Sequence, residues 1–573
     1  MPEYKGAEVL VKSLKDLGVE RIFGYTGGVI LPVFKALGEA GIDVVINSNE
    51  QAAAFAAAGE SRSTDKVGVT IVTSGPSVAN TLTAVCDSFC DSVPLIVISG
   101  QVPENKIGTD AFQYMDVPGI FREGKATKKT ILMNGQGIEE LIKDSYFLAK
   151  SGKPGPIVID LPVDKQQKAY SYNALPVKRY QDKYEKEHHM GKGQCRDFFE
   201  HLKDAKRPLL YLGGGVNSEE ASAKLRQLNQ ILGIPFVNTL MAKGTLDEND
   251  ALAMGMLGMF GTPSANMIVQ DTDFFFALGV RWDDRVAEKV GTFGPKSKIA
   301  YIDINPEKVE QIRNDREPVF SFVGNASHAL SDLIDYAISE DVKLDIQKWR
   351  DYASLVKSRW PLDYNKESAA IQEAHAIALL NELKDKDTII TTGVGNHQML
   401  AAQHLLMSRP KSFLTSGSFG TMGFGLPAAI GAWYAHPDRT VIDVDGDGSL
   451  SMNLGELRTV GLYDIPVKIL VLNNLGDGMV RNLQDYAYEG NRTGTSRPKD
   501  INLSEIAKDC NFKYARRVSN KGELEEAMKE FISAEGPCML EVMTDREEVL
   551  YPKVPAGKTY KEMILGPYIK ERT

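Results

Sequence analysis

Asp447 and Asn474 are the residues of this chain whose types and settings point most directly to chemistry. Asp447 stands in Gly446-Asp447-Gly448-Ser449, after the strand-like run Val441-Ile442-Asp443-Val444. Asn474 closes Asn473-Asn474, at the end of a second hydrophobic run from Val467 to Leu472. A helix-like stretch, Met452 to Leu462, and a break at Pro466 lie between them. That order brings one carboxylate and one carboxamide to the same edge of a parallel sheet. Hard oxygen donors of this kind suit Mg²⁺, which keeps waters and phosphate oxygens in its other octahedral positions. The glycines let the backbone approach a phosphate, and the following helix aims its N-terminus at the negative charge. The unit reads as a Mg²⁺-diphosphate site. The simpler alternative is a strand-loop-helix turn with an Asp cap.

Glu50 is a second chemical candidate. It follows Val44-Val45-Ile46 and Asn47-Ser48-Asn49, and it opens an alanine-rich helix, Gln51 to Gly59. A carboxylate there can be no more than a first-turn partner of the helix dipole. A chemical role for it depends on the neighbouring motifs. In Gly420-Thr421-Met422-Gly423-Phe424-Gly425, glycines surround one flexible apolar side chain. Such a segment packs closely against a flat ligand, or simply places Met422 in a core. The triplet Gly213-Gly214-Gly215 after a strand-like run is, alone, weak support for a dinucleotide site.

The elements that must position these residues fall into three blocks. At 573 residues the chain exceeds one hydrophobic core, and three domains are expected. Residues 1–165 alternate strands (Val69 to Val72, Leu95 to Ile98, Ile157 to Ile159) with helices, as in a doubly wound parallel α/β sheet. Residues 195–335 repeat the pattern with Leu209 to Leu212, Phe274 to Leu278 and Ile299 to Ile302. Residues 369–545 carry the Asp447 unit. Lys165 to Lys192 and Val342 to Glu367 read as polar linkers, and 546–573 as an irregular tail or lid. The first and third blocks share a strand, a Gly turn, a helix and an Asp shortly before a Pro (Asp91 to Pro94; Asp464 to Pro466). Such a repeat suggests two related domains facing each other across a site.

Bulk properties exclude several classes. A net charge of −10 argues against a nucleic-acid partner. No apolar run is long enough to span a membrane. The start, Met1 to Lys15, has no signal character, and the five cysteines are scattered. A reducing cytoplasm is expected, with Cys86 and Cys90 read as small buried residues.

Taken together, the motifs resemble a known family. The Gly-Asp-Gly to Asn-Asn unit is similar to that of thiamine-diphosphate enzymes, and so are Gly24 to Gly28, Glu50-Gln51, Thr73 to Pro76 and Asn80. The ordered middle set comprises Gly213 to Gly215, Thr239-Leu240-Met241, Leu257 to Thr262, Gly279 to Arg285 and Ile302-Asp303-Ile304. It resembles the FAD-binding domain of acetolactate synthase (acetohydroxyacid synthase) catalytic subunits, as do Gly100 to Gln113 and Gly478 to Arg481. The resemblance runs from about Gly6 to Leu565.

The resemblance implies thiamine diphosphate, Mg²⁺ and FAD as cofactors. It makes Glu50 the group that protonates the aminopyrimidine, Met422 the wedge that bends the cofactor, and Asp447, Asn474 and the Gly476 carbonyl the metal ligands. It places Gly27, Pro76, Asn80, Val394, Gly395, Asn396, His397, Gly420, Gly446, Gly448, Ser449 and Met479 around thiamine diphosphate. His397 can equally be an exposed loop histidine. It gives Gly213, Gly214, Gly215, Thr239, Leu240, Leu257, Gly258, Gly279, Arg281, Asp283, Arg285, Asp303 and Ile304 to FAD. Phe112, Gln113, Lys128, Arg281, Met479, Val480 and Leu483 are assigned to substrate, with Gln113 and Lys128 also counted as catalytic.

The implied activity decarboxylates pyruvate and transfers the two-carbon unit to a second 2-keto acid, a step towards branched-chain amino acids. The alternatives are transfer to a larger ketone or keto-sugar, and a pyruvate oxidase. A homodimer or homotetramer with sites at the subunit interface is implied, and a regulatory subunit is possible. Several positions depart from the family pattern: Thr26 for Pro, Asn49 for His, Ser77 for Gly, Phe260 for His, Asn325 for Asp and Leu483 for a Trp that lines the acceptor pocket.

Overall fold

The computed structural model of the chain describes residues 3–134, 137–186, 188–287 and 290–572. Met1, Pro2, Glu187 in the first polar stretch and Thr573 in the tail lie outside these residues. Three six-stranded sheets dominate, and every pairing within them is parallel. Helices cover their faces, so the central strands are buried on both sides and read as continuous apolar runs, whereas the edge strands Asp43–Ile46, Lys129–Leu132 and Tyr514–Val518 are only partly buried.

The first sheet runs Asp43–Ile46, Arg21–Gly24, Gly68–Val72, Leu95–Gln101, Ile157–Pro162, Lys129–Leu132 across its width. The third runs Phe413–Leu414, Ile389–Thr392, Val441–Gly446, Lys468–Asn473, Cys538–Met543, Tyr514–Val518. Numbered within its own sheet, each has the order 2-1-3-4-6-5, so the two blocks share one topology. The middle sheet runs Ala253–Met256, Phe236–Asn238, Pro208–Leu212, Phe274–Leu278, Lys298–Asp303, Phe320–Val323, the order 3-2-1-4-5-6. Open sheets of these kinds bind ligands outside the carboxyl ends of the strands, where the strand order reverses. In the third sheet that crevice lies between Thr392 and Gly446. In the first it lies between Gly24 and Val72, and in the middle one between Leu212 and Leu278.

The first and third domains meet through helices Glu50–Ser63 and Gly425–Ala435. The first is buried from Ala52 to Gly59 without interruption, because alanine and glycine leave little bulk on any side. A Cβ on Gly59 would run into the Ala428 backbone, and one on Gly431 into the Ala56 carbonyl oxygen. Backbone contact of this closeness requires glycine at both crossing points.

Some expectations need correction. The stretch Lys165 to Lys192 contains a helix, Val177–Tyr184, and a strand, Ala169–Ser171, paired antiparallel with Glu3–Lys5. Tyr180 there is buried in the first domain's core. Val342 to Glu367 contains helix Gln347–Arg359, whose Trp349 is buried and donates to the Pro208 carbonyl at 2.8 Å. Both segments are packed because their few aromatic residues are enough to anchor them. Met452 to Leu462 is two helices, Asp447–Met452 and Glu456–Leu462, rather than one. Cys86 and Cys90 share helix Leu82–Asp91 but are half-buried. In the tail, Val554, Tyr560 and Met563 join the middle core. Among the described residues no helix is long and apolar enough to cross a membrane.

Replacing Gly431 with Val drives a branched side chain into the Ala56 carbonyl. The expected cost is about 1–3 kcal/mol of stability. A thermal-unfolding midpoint below that of the parent chain checks it.

Candidate active site at the carboxyl edges of the sheets

Asp447 begins the helix that follows strand Val441–Gly446, and Asn474 follows strand Lys468–Asn473. The strands are neighbours in register, Gly446 opposite Leu472, so both side chains arrive at one edge. Asp447 is only 7% exposed, and burial pushes its carboxyl up to about 6. Asn474 is held from both sides. Its amide nitrogen donates to Glu373 at 2.7 Å, and its oxygen accepts from Arg481 at 2.9 Å. Arg481 also reaches the Asn474 carbonyl at 3.3 Å.

Glu373 escaped the sequence reading. It is fully buried, pushed up to about 7 by desolvation, and one of its oxygens has no hydrogen-bond partner. The backbone N–H of Glu373 donates to Glu548 at 2.5 Å, and burial pushes Glu548 up to about 8. The only sequence signal for Glu373 is a carboxylate at a helix start, which it shares with many surface residues.

Ser449 joins three segments at this edge. Its hydroxyl accepts from Val394 N at 3.3 Å and from Gly423 N at 3.1 Å. Val394, Gly395, Asn396 and His397 lead into helix Asn396–His404, directly after strand Ile389–Thr392. His397 is a buried residue and not an exposed loop histidine. Burial lowers it to about 3, so it is neutral, and its Nε2 lies 3.5 Å from Asp445 without a hydrogen bond. The amide oxygen of Asn396 is likewise buried and unpartnered. Gly420, with φ of 70°, borders open space, and Met422 is half-buried. The Met422 Cε lies 3.4 Å from where a Gly448 Cβ would sit, which joins the two motifs.

This edge fits a Mg²⁺-diphosphate pair. Among the described residues no three His, Cys, Asp or Glu side chains form a metal cluster by themselves. One carboxylate, one carboxamide and the Gly476 carbonyl suit a cation that takes its remaining oxygens from water and phosphate. The buried Asp447 carboxyl and the orphaned Asn396 oxygen are groups that such a cation and its waters would satisfy.

At the edge of the first sheet, Glu50 Oε1 accepts from Ser77 Oγ at 2.8 Å and Oε2 from the Asn80 amide at 2.9 Å. Asn49 caps the helix through Ala52 N at 2.9 Å and donates to Asn453 at 3.1 Å. Asn453 in turn donates to the Gly423 carbonyl at 2.7 Å. Gly27 packs on Thr73, and Gly75, with φ of 62°, presses on Gln113, with Pro76 next in line. Asn80 therefore reaches Glu50 directly, whereas Gly27 is linked to it through Thr73, whose N–H donates to Ser77 Oγ at 3.2 Å. Phe112, beside Gln113, is 87% exposed.

Lys128 does not join them within one chain. It precedes strand Lys129–Leu132, at the opposite end of the parallel sheet from Glu50. Its ammonium donates to the carbonyls of Ser151 at 2.5 Å and Lys153 at 3.0 Å, and burial lowers it to about 8.

In the middle sheet the glycine triplet proves to be a packing device. Cβ atoms on Gly213 or Gly215 would strike Gly279, so the turns after the first and fourth strands close against each other backbone to backbone. Arg281 pairs with Asp283 at 2.9 Å and donates to the Cys90 carbonyl of the first domain at 3.0 Å. Asp303 is buried and accepts from Asn305 N at 2.8 Å, with Ile304 between them. Thr239 N donates to the Leu212 carbonyl at 2.9 Å, and Leu240 begins the turn after it. The Leu257-Gly258 pair faces Arg285, whose carbonyl accepts from Met259 N at 2.9 Å. On helix Gly478–Ala487, Met479 packs on the third domain's core, whereas Val480 and Leu483 are each 48% exposed.

Because Asp447 titrates near 6, protons compete with a divalent cation for it below that pH. Mg²⁺-dependent binding of thiamine diphosphate should fall by about tenfold per pH unit below about pH 6 and level off above it. Fluorescence titration between about pH 5 and pH 8 reads this slope, and Asp447→Asn should flatten it.

Comparison with known proteins agrees with this geometry. Three family models match in order. They are the thiamine pyrophosphate enzyme N-terminal TPP binding domain at residues 4–120, the central domain at 195–333 and the C-terminal TPP binding domain at 393–542. Acetolactate synthase 3, chloroplastic, of Brassica napus is 39% identical over 572 residues, covering 98% of this chain and 86% of that protein. Acetolactate synthase, chloroplastic, of Arabidopsis thaliana is 38% identical, covering 98% and 84%. Acetolactate synthase 1, chloroplastic, of Zea mays is 38% identical, covering 98% and 89%. The chain belongs to the acetolactate synthase family of thiamine-diphosphate enzymes.

Proposed function

We propose that this protein is a carboligase of the acetolactate synthase type, forming 2-acetolactate from two molecules of pyruvate. The observation that carries the reading is the single sheet edge shared by Asp447, Asn474, Gly476 and the Ser449-tied loops of Val394 and Gly423. Thiamine diphosphate, when bound, supplies the electron sink at which a 2-keto acid loses CO₂ and its two-carbon remainder becomes a nucleophile. Asp447, Asn474 and the Gly476 carbonyl hold Mg²⁺ in this reading. Glu50 holds the proton shared with the pyrimidine ring, its two oxygens fixed by Ser77 and Asn80. Met422, whose Cε lies beside Gly448, would wedge the cofactor into its bent form. The middle sheet, with its 3-2-1-4-5-6 order, would take FAD outside the carboxyl ends of its strands, over the closed turns at Gly213 and Gly279, in a structural role.

The working unit in this reading is a homodimer or homotetramer that completes each site from two chains, with small keto acids as substrates. A cytoplasmic setting stays part of the reading, although the plant relatives are named as chloroplastic. Transfer to a larger ketone is the second reading. It is favoured by Leu483, which is smaller than the indole of the family pattern, stands half-exposed beside Val480 and leaves room for a bulkier ketone.

The defining experiment supplies pyruvate, thiamine diphosphate, Mg²⁺ and FAD and identifies the product by mass spectrometry. Acetolactate is expected, with no matching oxygen uptake. Glu50→Gln should slow proton-deuterium exchange at C2 of the bound cofactor by about a hundredfold or more. An unchanged rate returns Glu50 to a helix-start role. Mixing inactive Glu50→Gln and Asp447→Ala chains should restore part of the activity if sites are shared between subunits. With pyruvate as donor, Leu483→Trp should raise the preference for 2-ketobutyrate over larger ketones, a change of about 1–3 kcal/mol at most. Competition assays measure that ratio.

A further inference from the structure

We propose that Arg497 is a direct ligand of the cofactor's diphosphate, held ready beside the Gly446-Asp447-Gly448 turn by Asp477. The inference rests on the reading of that turn as the diphosphate site.

Asp477 occupies the N-cap position of helix Gly478–Ala487, yet its side chain caps none of the helix's free N–H groups. Its carboxylate instead accepts from Arg497 Nη2 at 2.9 Å. A Cβ placed on Gly448 would lie 2.6 Å from Asp477 Oδ1 and 3.1 Å from Arg497 Nη2. The ion pair therefore rests on the glycine whose missing side chain lets a phosphate approach. The same Cβ would be 3.4 Å from Met422 Cε, so the pair lies between the metal turn and the wedge residue.

The backbone fixes Arg497 in this place. Arg497 N donates to the Leu475 carbonyl and Asp477 N to the Thr495 carbonyl, each at 2.9 Å. Gly476, the carbonyl donor to the metal, forms an antiparallel bridge with Ser496. The segment carrying Arg497 is thus zipped along the loop carrying the metal ligands, and only side-chain rotation is needed to move the guanidinium. The pair is partly open to solvent, with side-chain exposures of 35% for Arg497 and 24% for Asp477.

Charge decides what that freedom is for. Asp447 and Asp477 set two carboxylates close enough at this edge to act on each other. The other guanidinium there, Arg481, is engaged with Asn474. A diphosphate arriving beside Asp477 meets like charge unless Arg497 turns to it. A partly exposed ion pair is weak and gives way at little cost. A phosphate offers the guanidinium a bidentate partner of higher charge.

The test titrates full-length protein, in saturating Mg²⁺, with thiamine diphosphate and with thiamine monophosphate by calorimetry. Arg497→Gln should weaken thiamine diphosphate by about tenfold or more and narrow its advantage over the monophosphate. Arg497→Lys should recover part of the loss. Asp477→Asn should tighten thiamine diphosphate several-fold, since it frees Arg497 and removes a repelling charge. A mere clasp for residues 495–497 predicts the opposite sign for Asp477→Asn: both neutral variants weaken binding alike, lower the thermal midpoint and leave the ratio of the two phosphates unchanged. That result overturns the proposal. Asp447→Ala separates the two layers. Loss of affinity in Asp447→Ala with none in Arg497→Gln overturns the role of Arg497 alone, whereas normal affinity in Asp447→Ala overturns the diphosphate reading as well.

Discussion

The close crossing of helices Glu50–Ser63 and Gly425–Ala435 is the constraint on which the site depends. Two glycines, Gly59 and Gly431, let the backbones touch. The alanines around them fill the seam with minimal bulk. One helix then supports candidate site residues at both of its ends. Glu50 projects at its start. At its finish Arg62 enters a buried charge network, pairing with Asp87 at 2.6 Å and Asp91 at 3.1 Å. Asp91 accepts from the N–H groups of Gly417 and Ser418, both at 2.9 Å, and Asp87 accepts from Ser416 and Thr421. The loop that leads to Met422 is therefore fastened to the first domain by a buried ion network, in which the Arg62 Nε alone of that guanidinium lacks a hydrogen-bond partner. Buried ions are tolerated when every partner is present, and removing one leaves a stranded charge.

The edge around Asp447 shows the reverse condition. Asp443, Asp445, Glu373 and Glu548 are all desolvated and pushed towards their neutral forms. Asp443 is satisfied on one oxygen only, by Thr391 at 2.9 Å. So much buried acid is electrostatically unfavourable while ionised, and desolvation holds these carboxyls towards their neutral forms. A ligand that binds only the native state would stabilise this domain by mass action.

Much of this was legible in the sequence, for physical reasons. The parallel strands announced themselves as short apolar runs ending in Gly, Asn or Ser, since burial on both faces removes any alternation. Asp447, Asn474 and Glu50 stood at strand-to-helix junctions, which are local features. The residues that escaped notice act through distant partners. Glu373 meets Asn474 across a hundred residues of chain, and nothing local marks it. The glycine triplet at Gly213 was visible, but its role in backing Gly279 depends on a turn far along the chain. The polar stretches around Tyr180 and Trp349 looked like linkers because composition reports the many exposed residues and hides the few that enter the cores. Lys128 was assigned by motif, whereas its carbonyl partners lie in a loop that no motif includes.

The route of the chain into and out of the third domain has a mechanical consequence. Helix Gln347–Arg359 leads in from the middle domain, and the tail leads back to it through Val554, Tyr560 and Met563. These two tethers are joined to each other: Arg359 pairs with Glu571, and its carbonyl accepts from Arg572 N at 2.9 Å. The third domain is moored to the middle one at this junction and again through Met407 N, which donates to Glu248 at 3.0 Å, and Lys411 N, which donates to Asn217 at 3.0 Å. A protease that severs one tether therefore leaves the domain held in place by the other and by these cross-links.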